Sequence, residues 1–105
     1  MKEITVQQLK EKIDQGDDFQ LIDIREEFEY EMSNLAGENI PLAGILIEAH
    51  KFLKDKPVII HCRNGARTTA AIMQLEKQFN LDNLYNLKGG ILAWAAEYDP
   101  DMKVF

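Results

Sequence analysis

Residues 58 to 67 read Val-Ile-Ile-His-Cys-Arg-Asn-Gly-Ala-Arg. Cys62 is the only cysteine of the 105 residues, and it sits beside Arg63 and close to Arg67 in a chain of net charge −6. The thiolate is the nucleophilic form of cysteine, and an ordinary thiol with a pKa of about 8.5 is mostly protonated at neutral pH. Positive charge and amide donors shift that balance. Gly65 permits positive φ, so the N–H groups of residues 63 to 67 can converge into an anion-binding nest. A helix starting there adds its partial positive charge. Cys62 is therefore the candidate catalytic nucleophile. Arg63, Asn64, Gly65, Ala66 and Arg67 form the candidate substrate-binding loop, with Arg67 as a planar clamp and Arg63 as an attractor of anions. A lone cysteine can also be a small buried hydrophobe. That role has no need of a glycine-containing loop flanked by two arginines.

Short elements of alternating type are needed to present such a loop. Thr5 and Gln8 have capping-box spacing, and Val6, Leu9 and Ile13 follow at helical intervals, with Gly16 as the stop. Phe19 to Ile24 suits a buried strand, although Asp23 near its end is unusual for one. Residues 25 to 30 are charged and helix-prone. Asn39 to Leu42 reads as extended, and residues 45 to 53 as a helix with Ile45, Ala49, Phe52 and Leu53 on one side. Val58-Ile-Ile60 is β-branched and continuous, as in a central parallel strand covered on both faces. A helix from Arg67 to Phe79 would bury Ala71, Ile72, Leu75 and Phe79. Leu84 to Leu87 is a further strand, Gly89-Gly90 a turn, and the segment carrying Ile91, Leu92, Trp94 and Ala95 a last helix. The expected fold class is α/β: one domain spanning 1–105, with a mainly parallel sheet of about five strands and helices on both faces. In such sheets ligands bind beyond the carboxyl ends of the strands, which is where Cys62 falls.

The totals exclude several functions. Hydrophobic residues make up 46% and charged residues 29%, a globular composition. An acidic chain lacks the basic face that binding to nucleic acid needs. No apolar run approaches the roughly 20 residues that span a bilayer, so no membrane partner is expected, and the N-terminus has no secretory h-region. A single cysteine allows no intrachain disulfide, which fits a reducing, cytoplasmic setting. The acidic surface leans towards a monomer. His50, His61 and Cys62 lack the spacing of a metal site, and the chemistry of a lone thiolate requires no cofactor.

Four segments, in order, carry a resemblance that covers nearly the whole chain. They are Leu21-Ile-Asp-Ile-Arg-Glu26 with Glu29-Tyr30, Asn39-Ile-Pro-Leu42, the loop from Val58 to Arg67, and Leu87-Lys-Gly-Gly-Ile-Leu-Ala-Trp94. Together they resemble the rhodanese family of sulfurtransferases. The resemblance implies that Cys62 takes sulfane sulfur from a small-molecule or protein-bound donor as a persulfide. It then passes the sulfur to cyanide, a thiol or a sulfur-carrier protein, by a ping-pong mechanism. The basic loop favours an anionic donor such as thiosulfate. Met32-Ser-Asn-Leu-Ala-Gly-Glu38 lacks the histidine that many members carry after the Glu-Tyr pair, and Tyr30 to Pro41 is one residue shorter than the common pattern. This stretch is similar to rhodanese domains fused to enzymes that adenylate sulfur carriers.

Two rivals have distinct signatures. A cysteine phosphatase or arsenate reductase of this fold would place five residues between cysteine and arginine. Here only the four residues Arg63 to Ala66 intervene, a ring better sized for sulfur than for a phosphoryl group. No second cysteine is present to resolve an oxidised intermediate. A catalytically idle docking module usually loses the cysteine. Among the remaining residues, Asp23 is a candidate support that bonds the loop or pairs with an arginine. His61, next to Cys62 on a strand, should point to the opposite face and be structural. Arg25 with Glu26 and Glu29 reads as a surface ion-pair cluster, and Trp94 as core.

Overall fold

The computed structural model describes residues 1–105. Five strands, β1 (Glu3–Ile4), β2 (Gln20–Asp23), β3 (Glu38–Asn39), β4 (Val58–His61) and β5 (Leu84–Leu87), form one sheet in the order β1-β5-β4-β2-β3. Every pair of neighbours is parallel. The helices are α1 (Val6–Asp14), α2 (Glu27–Met32), α3 (Ala66–Phe79) and α4 (Gly90–Tyr98). None is long and apolar enough to cross a membrane. The expected α/β class with a parallel five-stranded sheet is the one observed.

Side-chain alternation along β4 divides the core in two. Val58, Ile60 and Cys62 join Ile22, Ile24 and the α3 residues Ala71, Ile72 and Leu75 on one face. Ile59 joins Ile4, Val6, Leu9 and Leu87 on the other, with Trp94 and Tyr98 of α4 packed against them. Every residue of β4 is buried, as a central strand covered on both sides requires. Each fully enclosed aliphatic side chain here contributes about 1.5–3 kcal/mol by leaving water. The predicted capping box opens α1: the Gln8 N–H donates to the Thr5 hydroxyl at 3.1 Å, and the Thr5 N–H to Gln8 Oε1 at 2.9 Å. Gly16 follows with φ 67°, the left-handed geometry of a helix stop.

Three expectations need correction. Residues 45 to 53 are not an α-helix but part of a crossover with two short 3-10 turns, Leu42–Gly44 and Ala49–Lys51. Its apolar residues Leu46, Ala49 and Phe52 recur every third position, the period of a 3-10 turn, and Leu53 is exposed. Phe79 does not complete the stripe of α3; it is 39% exposed because the helix ends there, at Asn80. Trp94 is half-buried rather than core, and tilts against Tyr98 with ring centroids 4.8 Å apart. Strand β1 has two residues, too few to show a sequence period, and it joins the sheet through β5.

Candidate active site

The chain leaves β4 at His61 and enters α3 at Ala66, and the loop between them wraps the thiol. Gly65 adopts φ 102°, a conformation glycine reaches without a Cβ penalty, and its N–H points at Cys62 Sγ from 3.1 Å. The loop carbonyls face the other way. Those of Cys62 and Arg63 accept from the N–H groups of Ile91 and Leu92, each at 3.0 Å. That of Gly65 accepts from the Thr69 N–H at 3.1 Å, the Thr69 hydroxyl at 3.0 Å and Asn86 Nδ2 at 3.5 Å. Donors therefore line the inside of the loop while three of its acceptors are bonded on the outside. Asn64 has a local part: its Oδ1 takes the Ala66 N–H at 3.0 Å and closes the turn into α3. The Ala66 N–H is thus engaged by a side chain rather than by the sulfur.

Cys62 is fully buried. Burial pushes its thiol pKa up, but hydrogen bonds outweigh it and hold the value below that of an ordinary thiol. They come from the Thr68 hydroxyl, then the N–H groups of Thr68, Gly65 and Asn64. Thr68 was not singled out in the sequence. Its N–H is one of the first-turn donors that a helix leaves without intrahelical partners, and that is the signal that would have found it. The Thr68 hydroxyl is buried and has no other hydrogen-bond partner, so it is left to serve the Cys62 sulfur. Thr68→Val keeps the shape and removes this donor. The pH profile of Cys62 alkylation should move to higher pH, with the rate at neutral pH reduced about fivefold to tenfold. An unmoved profile would show that the backbone alone tunes the thiol.

The second glycine after β5, Gly90, seats the loop. A Cβ on Gly90 would lie 2.5 Å from the Arg63 carbonyl oxygen and 2.6 Å from that of Cys62, and Gly90 has φ 61°. Gly90→Ala is expected to cost about 2–3 kcal/mol, from left-handed strain plus displacement of the loop. Donors displaced from the sulfur should lower turnover by about 10²-fold. Thermal melts and steady-state assays on the variant test both.

The arginines differ from expectation. Arg63 is exposed and makes no ion pair. Arg67 is not free: its Nη1 donates to Glu29 Oε1 at 2.9 Å and its Nη2 to Glu29 Oε2 at 3.1 Å. The surface cluster proposed for Arg25, Glu26 and Glu29 does not form. Arg25 is fully buried and Glu29 is 6% exposed. Arg25 Nε and Nη2 bind Asp23, with Nη2 at 2.8 Å from Oδ2, and Nη2 also donates to the Ser33 carbonyl at 2.7 Å. Of the two roles considered for Asp23, pairing with an arginine is the one observed. It also pairs in register with His61, so both lie on the sheet face opposite Cys62. His61 is fully buried, and burial lowers its pKa below 6.5 despite the Asp23 carboxylate, leaving a neutral ring. A cavity of about 420 Å³ is lined by Glu3, Gln8, Glu11, Tyr85 and neighbours, none of them in the loop.

A fully parallel α/β sheet with a thiol among N–H donors beyond its central strand defines an α/β domain with a cysteine loop at the ligand-binding end of its strands. The rhodanese-like domain model matches residues 5–97, and the chain belongs to that family. A protein called sulfurtransferase from Allochromatium vinosum is 33% identical over 96 residues, covering 90% of this chain and 89% of its own length. The uncharacterized protein YqhL of Bacillus subtilis is 38% identical over 79 residues, and the match takes in 74% of this chain and 62% of that one. The probable adenylyltransferase/sulfurtransferase MoeZ of Mycobacterium tuberculosis is 27% identical over 105 residues, and the match takes in only 26% of its length. Among solved structures, the rhodanese-like domain protein from Staphylococcus aureus superposes with a TM-score of 0.83 at 28% identity, over 100% of this chain and 99% of that one.

Proposed function

We propose that the domain is a sulfurtransferase in which Cys62 carries the transferred atom as a persulfide. The observation behind this reading is the inward-facing donor ring, with the Gly65 N–H 3.1 Å from Cys62 Sγ and the adjoining carbonyls bonded outward. Such a ring stabilises an anion on sulfur before and after transfer. The Cys62 thiolate attacks the outer sulfur of a donor. The bond joining that sulfur to the donor breaks, and its electron pair leaves with the donor body. An acceptor nucleophile then attacks the outer sulfur of the Cys62 persulfide, and the S–S electron pair returns to Cys62 as thiolate. The same group holds the sulfur between two substrates, so the kinetics are ping-pong.

The Allochromatium relative supports this reading across almost the whole chain. The likeness to part of MoeZ, and to part of the adenylyltransferase and sulfurtransferase MOCS3 of Drosophila willistoni, supports a sulfur-carrier protein as acceptor. The engagement of Arg67 by Glu29 weakens the phosphatase reading, which needs that guanidinium on a phosphoryl group.

Incubation with thiosulfate or a small persulfide, followed by intact-mass and peptide-mass measurement, should place one added sulfur atom on Cys62. Cyanide should then remove it as thiocyanate. A thiol left unmodified by both donors overturns the proposal, as does aryl-phosphate hydrolysis in its place.

A further inference from the structure

Glu29 lies at the centre of an arrangement that bears on the choice of donor. It is nearly enclosed, and its carboxylate accepts from both Nη groups of Arg67 and from the Glu26 N–H at 2.9 Å. The Arg67 hydrogen bond, opposed in part by burial and helped by the Glu26 N–H, holds the Glu29 pKa below 4.5, so it is anionic at neutral pH. Arg67 lies in the first turn of α3, five residues after Cys62; its pKa is raised first by the Glu29 hydrogen bond and, among smaller causes, by the charge of Cys62. The one guanidinium that borders the thiolate from α3 is thus neutralised by a fixed carboxylate. Arg63 is the remaining loop cation, and it is exposed to solvent screening.

We propose that Glu29 is a specificity-determining residue that sets the charge of the donor. By locking Arg67 it disfavours dianions such as thiosulfate, and it leaves the N–H ring to sulfane sulfur delivered as a persulfide, R–S–SH. This rests on the transferase reading of the same site. The step is balanced as follows. The Cys62 thiolate bonds to the outer sulfur of R–S–SH while the donor S–S bond breaks. Its electron pair goes to the inner sulfur, which takes up the proton. The products are the Cys62 persulfide anion and R–SH, one negative charge on each side, with no external oxidant or reductant. Thiosulfate would instead bring two negative charges towards a thiolate whose nearest cation is cancelled. Within several ångströms, the interaction of one unit charge with a dianion is large enough to change a rate by about tenfold.

Glu29→Gln removes the charge and keeps an oxygen able to accept from the Glu26 N–H and Arg67. The readout is the ratio of kcat/KM for thiosulfate to kcat/KM for 2-hydroxyethyl hydropersulfide, measured on the full chain. The ratio should rise about tenfold in the variant. A ratio unchanged within about twofold overturns the proposal. A second measurement needs only the unaltered protein, in case the variant folds poorly. Thiosulfate kcat/KM should stay flat or rise as salt increases from about 20 to about 200 mM, because a cancelled guanidinium gives the dianion little attraction to screen. A steep fall with salt that persists in Arg63→Ala would reveal Arg67 as a free cationic receptor and overturn the assignment. If neither donor loads sulfur on Cys62, the transferase reading itself fails. If both load it and the ratio stays put, only the role of Glu29 fails.

Discussion

Cys62→Ser is expected to give a folded protein that neither acquires a sulfur atom from any donor nor transfers one. The serine hydroxyl can still accept the Gly65 N–H that now meets the sulfur at 3.1 Å, and it is smaller than the thiol in a fully buried site. The thermal midpoint should therefore move by only a few degrees, roughly the effect of a sub-kcal/mol change in a chain of this size. Activity behaves differently. An alcohol is barely ionised at neutral pH, and the donor ring cannot make an oxyanion of it as it does a thiolate. Nor is there a second cysteine to take over. Loss of the nucleophile should reduce turnover by at least about 10³-fold, with no burst of the first product. Activity within tenfold of the parent would mean that sulfur travels by another route.

The second large effect falls on stability. Arg25→Ala is expected to destabilise the fold by about 3–5 kcal/mol, because it leaves the Asp23 carboxylate buried without its cation. The geometry explains the size. Arg25 and Asp23 are both fully enclosed and share three side-chain contacts between 2.8 and 3.2 Å. The same guanidinium also holds the Ser33 carbonyl, at the end of α2. A domain of this length has only about 5–15 kcal/mol in total, so the midpoint should fall by on the order of 15 °C. Removing both charges with Asp23→Asn and Arg25→Met should cost less than Arg25→Ala alone, since no unpaired ion then remains. Urea titrations of the three proteins decide this. If the single variant lost no more than a surface pair does, about 1 kcal/mol or less, the buried pair would not be what fastens α2 to the sheet.

The largest sequence-level features survived folding because they are local or periodic. Val58-Ile-Ile60 had no alternative to a buried strand, and Thr5 and Gln8 needed only each other to cap α1. Cys62 falls at the carboxyl end of a central strand because a strand followed by Gly65 and a helix leaves it nowhere else. The 3-10 crossover between β3 and β4 escaped because its apolar residues fit a helix nearly as well as a three-residue repeat. Only packing against Ile22, Ile24 and their neighbours in the same core chose between them. Strand β1 escaped for another reason: two residues contain no pattern, and their partner in β5 is more than 80 positions away.

The charged residues mark the division between the two levels. Sequence alone determined that the thiol sits in a glycine-containing loop among arginines, in a parallel α/β domain. Those facts depend on composition and short-range order. It did not determine which charges meet. Read along the chain, Arg25 belongs with Glu26 and Glu29, and Arg67 is an open clamp. In the folded molecule Arg25 turns inward to Asp23, and Glu29 reaches across 38 positions to Arg67. An ion pair depends on distance in space, and its strength depends on exclusion of water; neither exists until α2 packs against the start of α3. Tertiary structure likewise decided that the carbonyls of Cys62 and Arg63 are held by the first turn of α4. That contact turns a flexible loop of mixed polarity into a ring of donors around one sulfur.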